Sequence, residues 1–307
     1  MVQKIDASGP SARQSAGLPP VTLHLGAHKT ASTLLQRSYL AHREALAREG
    51  CAYIGPDLTR RHYQVRSLMR PAEALWRKHQ TIREDIAQMR GEGQRILLSD
   101  ENFLGTTRPP DLALGAQLYP DAGQCLHALI TSLGLGEVTV ALALRDPLGL
   151  LNSAWGHQFL ARKPVSFGLF MAGLTPLALR WSELVARLLA VPDVARVILW
   201  RFEDMAALAP RLGPMLCGTD TPVPMLEGAH LPGPSARGIE FIQAKLAEDP
   251  EFPLDKAVRR AQRRFPKSDR WPGPDPFGAE ARAQSVAQYR DDWDQLARMD
   301  RVTRLVP

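Results

Sequence analysis

Six side chains in two separate stretches have the types and spacing to hold an anion. In "HLGAHKTAST" (24–33) an apolar run leads into Gly26, and Lys29, Thr30, Ser32 and Thr33 follow. A strand, a short turn and a helix N-terminus present free backbone N–H groups, and the helix dipole favours negative charge there. The hydroxyls add donors, and Lys29 adds a point charge able to reach a bridging or terminal oxygen. The order of parts differs from the nucleoside-triphosphate loop, which closes on Gly-Lys-Ser/Thr. Here the lysine comes early, and no second glycine precedes it. An ordinary turn capped by Ser or Thr is the plainer reading. The second stretch, "LRDPLGLLNSAWGHQ" (144–158), sets Arg145 at a strand tip and Ser153 eight residues on, inside the next helix. Leu148, Leu151, Trp155 and Phe159 mark that helix's buried stripe, and Ser153 and His157 fall off it. Arg145 reaching up and Ser153 reaching back would share one anion, with a charge-assisted contact from the guanidinium. The plainer reading pairs Arg145 with Asp146 or Glu203 and leaves the serine solvated.

These residues need rigid elements behind them. "VTLHL" (21–25) reads as a strand, and residues 33–48 as a helix with Leu35, Tyr39 and Leu46 on one face, ended by Gly50. "CAYIGP" (51–56) is a short strand or turn, and 57–94 is polar and helical in pattern. "RILLSDENF" (95–103) and "GEVTVALALRDP" (136–147) each pass from an apolar core directly into polar groups, as buried parallel strands do where they end at a site. Pro147 suits the first turn of a helix. "ARVILWRFED" (195–204) is a further strand. Residues 219–238 are loop-rich, 239–248 helical, 259–278 basic and rich in Pro and Gly, and 279–298 a last helix. Strands alternating with helices predict an α/β fold, three-layered α/β/α with a central, mostly parallel sheet. Ligands in such sheets bind beyond the carboxyl ends of the strands, where "GAHKTAST", "SDEN" and "RDP" converge. The expected organisation is a flexible tail over 1–20 and a single domain over 21–307 with a less regular C-terminal third.

The chain has 307 residues, enough for a large core without disulfide or metal staples. Three widely spaced cysteines, Cys51, Cys125 and Cys217, argue for a reducing compartment, and no Cys/His cluster has zinc spacing. No apolar run reaches the length of a membrane span, and the first twenty residues lack the apolar middle of a signal peptide. A soluble, cytoplasmic protein is expected. The formal charge of +6 suits an anionic ligand of several classes. Only seven of the 38 basic residues are lysines, so Lys29 is an unusual choice in its loop.

Taken together, "HLGAHKTASTLLQ" and "LALRDPLGLLNSAWGHQ" resemble the sulfotransferases that use 3′-phosphoadenosine 5′-phosphosulfate (PAPS), closest to bacterial carbohydrate-type members. "LLSDENF" and "WRFEDM" are similar to strand-end motifs of the same family, and the likeness covers about residues 21–205. It implies a P-loop-like sulfotransferase fold. It also implies that Lys29, Thr30, Ser32 and Thr33, with His28 and Ala31 beside them, grip the 5′-phosphosulfate, and that Arg145 and Ser153 grip the 3′-phosphate. The chain departs from the family at Ala31, where glycine is usual; a positive φ there would make alanine costly. It departs again at "HLPGPSARG" (230–238), where Pro and Gly replace an expected Asn, which leaves Ser235, Arg237 and Gly238 as candidates for the adenine side.

The resemblance implies sulfuryl transfer to a carbohydrate, lipid or small-molecule acceptor, with 3′-phosphoadenosine 5′-phosphate (PAP) leaving. Such chemistry is mostly positioning and charge stabilisation. Lys29 would meet charge growing on the bridging oxygen, and no metal is expected. Related enzymes take the acceptor proton with a His or Glu past an internal strand, which points to Glu101, then Asp100, with His28 and His157 also near. A carboxylate in that role needs a pKa raised by burial. Arg259, Arg260, Arg263 and Arg264 would steer an acidic glycan or form a solvated helix face, the plainer reading. Trp181, Trp271 and Trp293 would stack on sugars or, more plainly, pack in the core. Nucleic acid is not an expected partner, because the basic residues are not interleaved with aromatics in a known pattern. Two other classes stay open: a non-catalytic nucleotide- or glycan-binding protein on the same fold, and a P-loop kinase. Acceptor specificity would lie in 57–94, 160–180 and the C-terminal third.

Overall fold

The computed structural model describes residues 17–66, 76–227 and 233–307. Most of the expected tail (1–16), part of the variable 57–94 stretch and the start of "HLPGPSARG" lie outside the described residues. Among the described residues eight strands follow in chain order: β1 (Val21–His24), β2 (Cys51–Ile54), β3 (Arg95–Ser99), β4 (Ala113–Leu114), β5 (Gln117–Leu118), β6 (Val138–Leu144), β7 (Val194–Arg201) and β8 (Val302–Arg304). The helices are α1 (Ser32–Ala41), α2 (Arg43–Arg48), α3 (Trp76–Gly91), α4 (Ala122–Leu133), α5 (Pro147–Leu160), α6 (Phe167–Met171), α7 (Trp181–Leu189), α8 (Met205–Cys217), α9 (Ala236–Glu248), α10 (Leu254–Arg264) and α11 (Ala279–Leu296).

Six strands form one sheet in the order β2-β3-β1-β6-β7-β8, and each neighbouring pair is parallel. β4 and β5 form a separate antiparallel pair. The two faces of the sheet follow from alternation along the strands. Val21 and Leu23 of β1, Ile96 and Leu98 of β3, and Val140, Leu142 and Leu144 of β6 pack with α3, α4, α5 and α7. Leu97, Ala141, Ala143, Ile198 and Trp200 face the other way, against α1, α2 and α8. The architecture is three-layered α/β/α.

Topology selects the site. From β1 the chain crosses to β2 at one edge and returns to β3, whereas β6 lies on β1's other flank and leads away to β7. The crevice beyond β1 and β6 is therefore the switch point where ligands bind in open α/β sheets. Register ends β1 and β3 level, with His24 opposite Ser99, while β6 runs past Ala141, the partner of His24, to Leu144 and so carries Arg145 up beside the loop.

Three local expectations change. The helix expected over 33–48 breaks at His42 into α1 and α2. The polar stretch 57–94 holds a π-helical segment, Asp57–His62, closed by Tyr63 N–H donating to the Leu58 carbonyl, before α3 begins. The C-terminal third is more regular than expected: α9, α10 and α11 cover the first face, and β8 extends the sheet beside β7. The arginines of α10 form its solvated face, while Ala257, Val258 and Ala261 are buried. Trp181 and Trp293 are core residues. Among the described residues no helix is long and apolar enough to cross a membrane.

Candidate functional site

The loop after β1 is shaped for an anion. Gly26 turns it with φ 43°, and a Cβ there would be both strained and crowded, 3.2 Å from the His24 ring. Lys29 and Ala31 both take left-handed backbone, φ 65° and 63°, while Thr30 between them does not. Such alternation turns successive N–H groups towards one concave side, an anion-binding nest. Ala31 is also the N-cap of α1 and supplies no side-chain acceptor. By contrast Asp146 and Ser235 cap α5 and α9 with their side chains. The first N–H groups of α1 are thus left without a side-chain cap, which removes the reading of a Ser/Thr-capped turn.

The loop's side chains divide. The Thr30 hydroxyl is buried and donates to the Ala27 carbonyl, so Thr30 offers an incoming anion its backbone only. Among the described residues the Lys29 ammonium and the hydroxyls of Ser32 and Thr33 have no partner. Burial, then Arg145, lower the Lys29 pKa; Glu101 opposes them, and Lys267 adds the smallest lowering effect.

Arg145 comes to the same place from β6. Its guanidinium donates to the Lys29 carbonyl at 2.9 Å and lies 4.7 Å from the centre of the Phe202 ring. Among the described residues it forms no ion pair: Asp146 instead accepts from Gly149 N–H at 2.7 Å and from the Ser285 hydroxyl. Trp181 steadies the backbone by donating its indole N–H to the Arg145 carbonyl at 2.8 Å. Arg145 and Ser153 line one cavity of about 100 Å³ together with Asn152, Gly156, Pro234 and Lys267. Gly156 lets the C-terminal segment close over α5, since a Cβ there would meet Pro234 at 3.2 Å. Asn152 donates to the Pro274 carbonyl at 2.6 Å, and among the described residues its own buried Oδ1 has no partner. A buried acceptor left unpaired in a cavity wall is costly unless a ligand donor meets it.

Past β3 the carboxylates are tied down. Asp100 caps the turn Glu101–Phe103 and accepts from Thr59 at 2.7 Å and from Arg60 at 2.7 Å. Glu101 pairs with Arg60 at 2.9 Å and accepts from Gln36 at 2.8 Å. Burial alone would raise the Glu101 pKa, but Arg60 and Gln36 outweigh it and hold the carboxyl below its usual range. That is the opposite direction to the raised pKa that a carboxylate base would need, and Asp100 is likewise engaged by Thr59 and Arg60. Ser99 bonds His24 at 2.7 Å, and the His24 ring stacks on Trp200.

His28 is buried beneath the loop. Its backbone N–H donates to the Tyr119 hydroxyl at 3.0 Å, and its Nδ1 lies 3.1 Å from the same oxygen. Burial lowers its pKa. His157 is half-buried on α5, four residues beyond Ser153. Burial, with Lys29 and His28 nearby, lowers its pKa to about 4. The candidates for an adenine side fare less well: Ser235 caps α9 and donates to the Phe265 carbonyl, and Arg237 pairs with Glu240.

Lys267, Gln36, Arg60 and Asn152 belong to the site and were not singled out by motif. Lys267 had a signal, being one of seven lysines in an arginine-rich chain. Arg60 sits in a π-helical stretch, a geometry that no simple periodicity announces. Lys29, Arg145 and Lys267 thus converge with no carboxylate bonded to any of them among the described residues. Like charges held together in a half-buried crevice repel unless an anion joins them. Among known proteins, no family model matches this chain and no curated protein gives a significant match.

Proposed function

We propose that the protein is a PAPS-dependent sulfotransferase acting on a hydroxyl or amine of a carbohydrate, lipid or small-molecule acceptor. The observation that carries this reading is the pairing of two cation sites. One is the uncapped loop at Lys29; the other is the cavity lined by Arg145, Ser153 and Lys267; the Arg145–Lys29 hydrogen bond joins them. A donor with charged groups at both its 5′ and 3′ positions meets both sites, whereas a simple triphosphate meets one. In this reading the N–H groups of residues 30–33 and the hydroxyls of Ser32 and Thr33 hold the 5′-phosphate. Lys29 stabilises charge on the bridging oxygen as the S–O bond breaks, and Arg145, Ser153 and Lys267 hold the 3′-phosphate. Glu101, fixed by Arg60 and Gln36, keeps one negative charge beside Lys29 and shapes the acceptor side. We place the reaction in the cytoplasm, on the thiol usage of the chain.

Isothermal titration tests the reading. PAP should bind more tightly than ADP or ATP, and Arg145→Ala should cost PAP about 10- to 100-fold, the worth of a charge-assisted contact. Equal affinity for adenosine phosphates with and without the 3′-phosphate would remove the role given to Arg145 and Ser153. Magnesium-dependent ATP turnover would favour a kinase instead. The strained Ala31 favours a second reading, a donor-binding protein without transfer; tight PAP binding with no sulfate transfer across a broad acceptor panel would establish it.

A further inference from the structure

Five polar side chains at the strand ends are already engaged. Ser99 bonds His24, whose ring is buried against Trp200. Asp100 is held by Thr59 and Arg60, and both Glu101 oxygens are taken, one by Arg60 and one by Gln36. His28 is engaged too. The Tyr119 hydroxyl accepts the His28 backbone N–H and lies 3.1 Å from Nδ1, while Nε2 lies 3.5 Å from Asn102 Oδ1. Both ring nitrogens of His28 thus face a partner inside the protein. His157 differs: among the described residues neither ring nitrogen has a hydrogen-bond partner, and the ring is half-buried rather than sealed. It shares a helix face with Ser153, one turn along α5 from the wall of the Arg145 cavity.

We propose that His157 is the proton acceptor for sulfuryl transfer. This rests on the sulfotransferase reading above. The acceptor oxygen forms a bond to sulfur while the bond from sulfur to the bridging oxygen breaks. That electron pair stays on the 5′-phosphate beside Lys29, and the acceptor's proton passes to a ring nitrogen of His157 and then to water. His157 is neutral at neutral pH, since burial, Lys29 and His28 hold its pKa near 4 while Glu101 opposes them weakly. The negative charge of a bound donor offsets Lys29 and makes the ring more basic during transfer.

The test uses two measurements on the full chain: PAP affinity, and release of inorganic sulfate from PAPS, in which water is the acceptor. His157→Gln and His157→Ala should bind PAP within about twofold of wild type yet release sulfate about 100-fold or more slowly, the usual worth of general base catalysis. Imidazole added to His157→Ala should restore part of the rate, which a structural role would not allow. The acid limb of the wild-type rate should vanish in His157→Gln. Unchanged sulfate release in both variants, or a loss that imidazole leaves untouched, overturns the proposal. So does a wild type that binds PAP and releases no sulfate, although donor binding then stands. A wild type that does not bind PAP fails the sulfotransferase reading itself.

Discussion

At the scale of single residues, Ala31 is the informative departure. Its φ of 63° costs a non-glycine residue about 1–2 kcal/mol. The strain lies in the loop that presents the N–H groups, which is where strained backbone tends to serve function. Ala31→Gly should therefore raise stability by about 1 kcal/mol after the greater freedom of glycine in the unfolded chain is subtracted. Chemical denaturation reads this directly, and an unchanged midpoint would mean that the loop relaxes without strain. Alanine at this position is visible in the sequence; its left-handed backbone, at the N-cap of α1, is not.

At the scale of elements, the π-helical segment Asp57–His62 decides how the acceptor side is built. One extra residue in its turn lets Thr59 and Arg60 both reach Asp100, and Arg60 go on to Glu101. Arg60→Ala should destabilise by about 1–2 kcal/mol at neutral pH, less than a fully buried pair because the arginine is 41% exposed. The pH dependence has a definite sign. Glu101 has its pKa depressed in the folded protein, so its contribution is present above the usual carboxylate pKa and lost as pH falls through the folded value. The gap in stability between wild type and Arg60→Ala should therefore shrink on acidification below that range. A gap that stays constant from neutral to acid pH would show that the pair contributes nothing through charge.

At the scale of the whole molecule, the site is assembled from both ends of the chain. Lys29 follows the first strand, whereas Lys267 arrives on the segment after α10, which the Asn152 hydrogen bond to the Pro274 carbonyl ties to α5. Lys267 is exposed, so its charge is screened. Lys267→Ala should weaken PAP binding about two- to fivefold at low salt, and the difference should fade as salt is raised. Titrations at two ionic strengths measure this; a salt-independent loss would point to a lost shape contact instead of charge.

Much of this was legible in the residues themselves. Apolar strands ending abruptly in "GAHKTAST", "SDEN" and "RDP" determined a parallel α/β sheet with polar groups beyond its carboxyl ends, since strand periodicity and buried apolar runs are local properties. The face of α5 was equally readable, because helical spacing alone separates Leu148, Leu151, Trp155 and Phe159 from Ser153 and His157. Only the tertiary structure decided which of the gathered groups remain free. Glu101 and His28 look available as letters, yet Arg60, Gln36, Tyr119 and Asn102 engage them from distant segments. Lys267 stood out only as one of seven lysines until the chain folded it into the cavity lined by Arg145. Proton affinity and charge balance depend on neighbours within a few ångströms, and those neighbours are set by topology rather than by order along the chain.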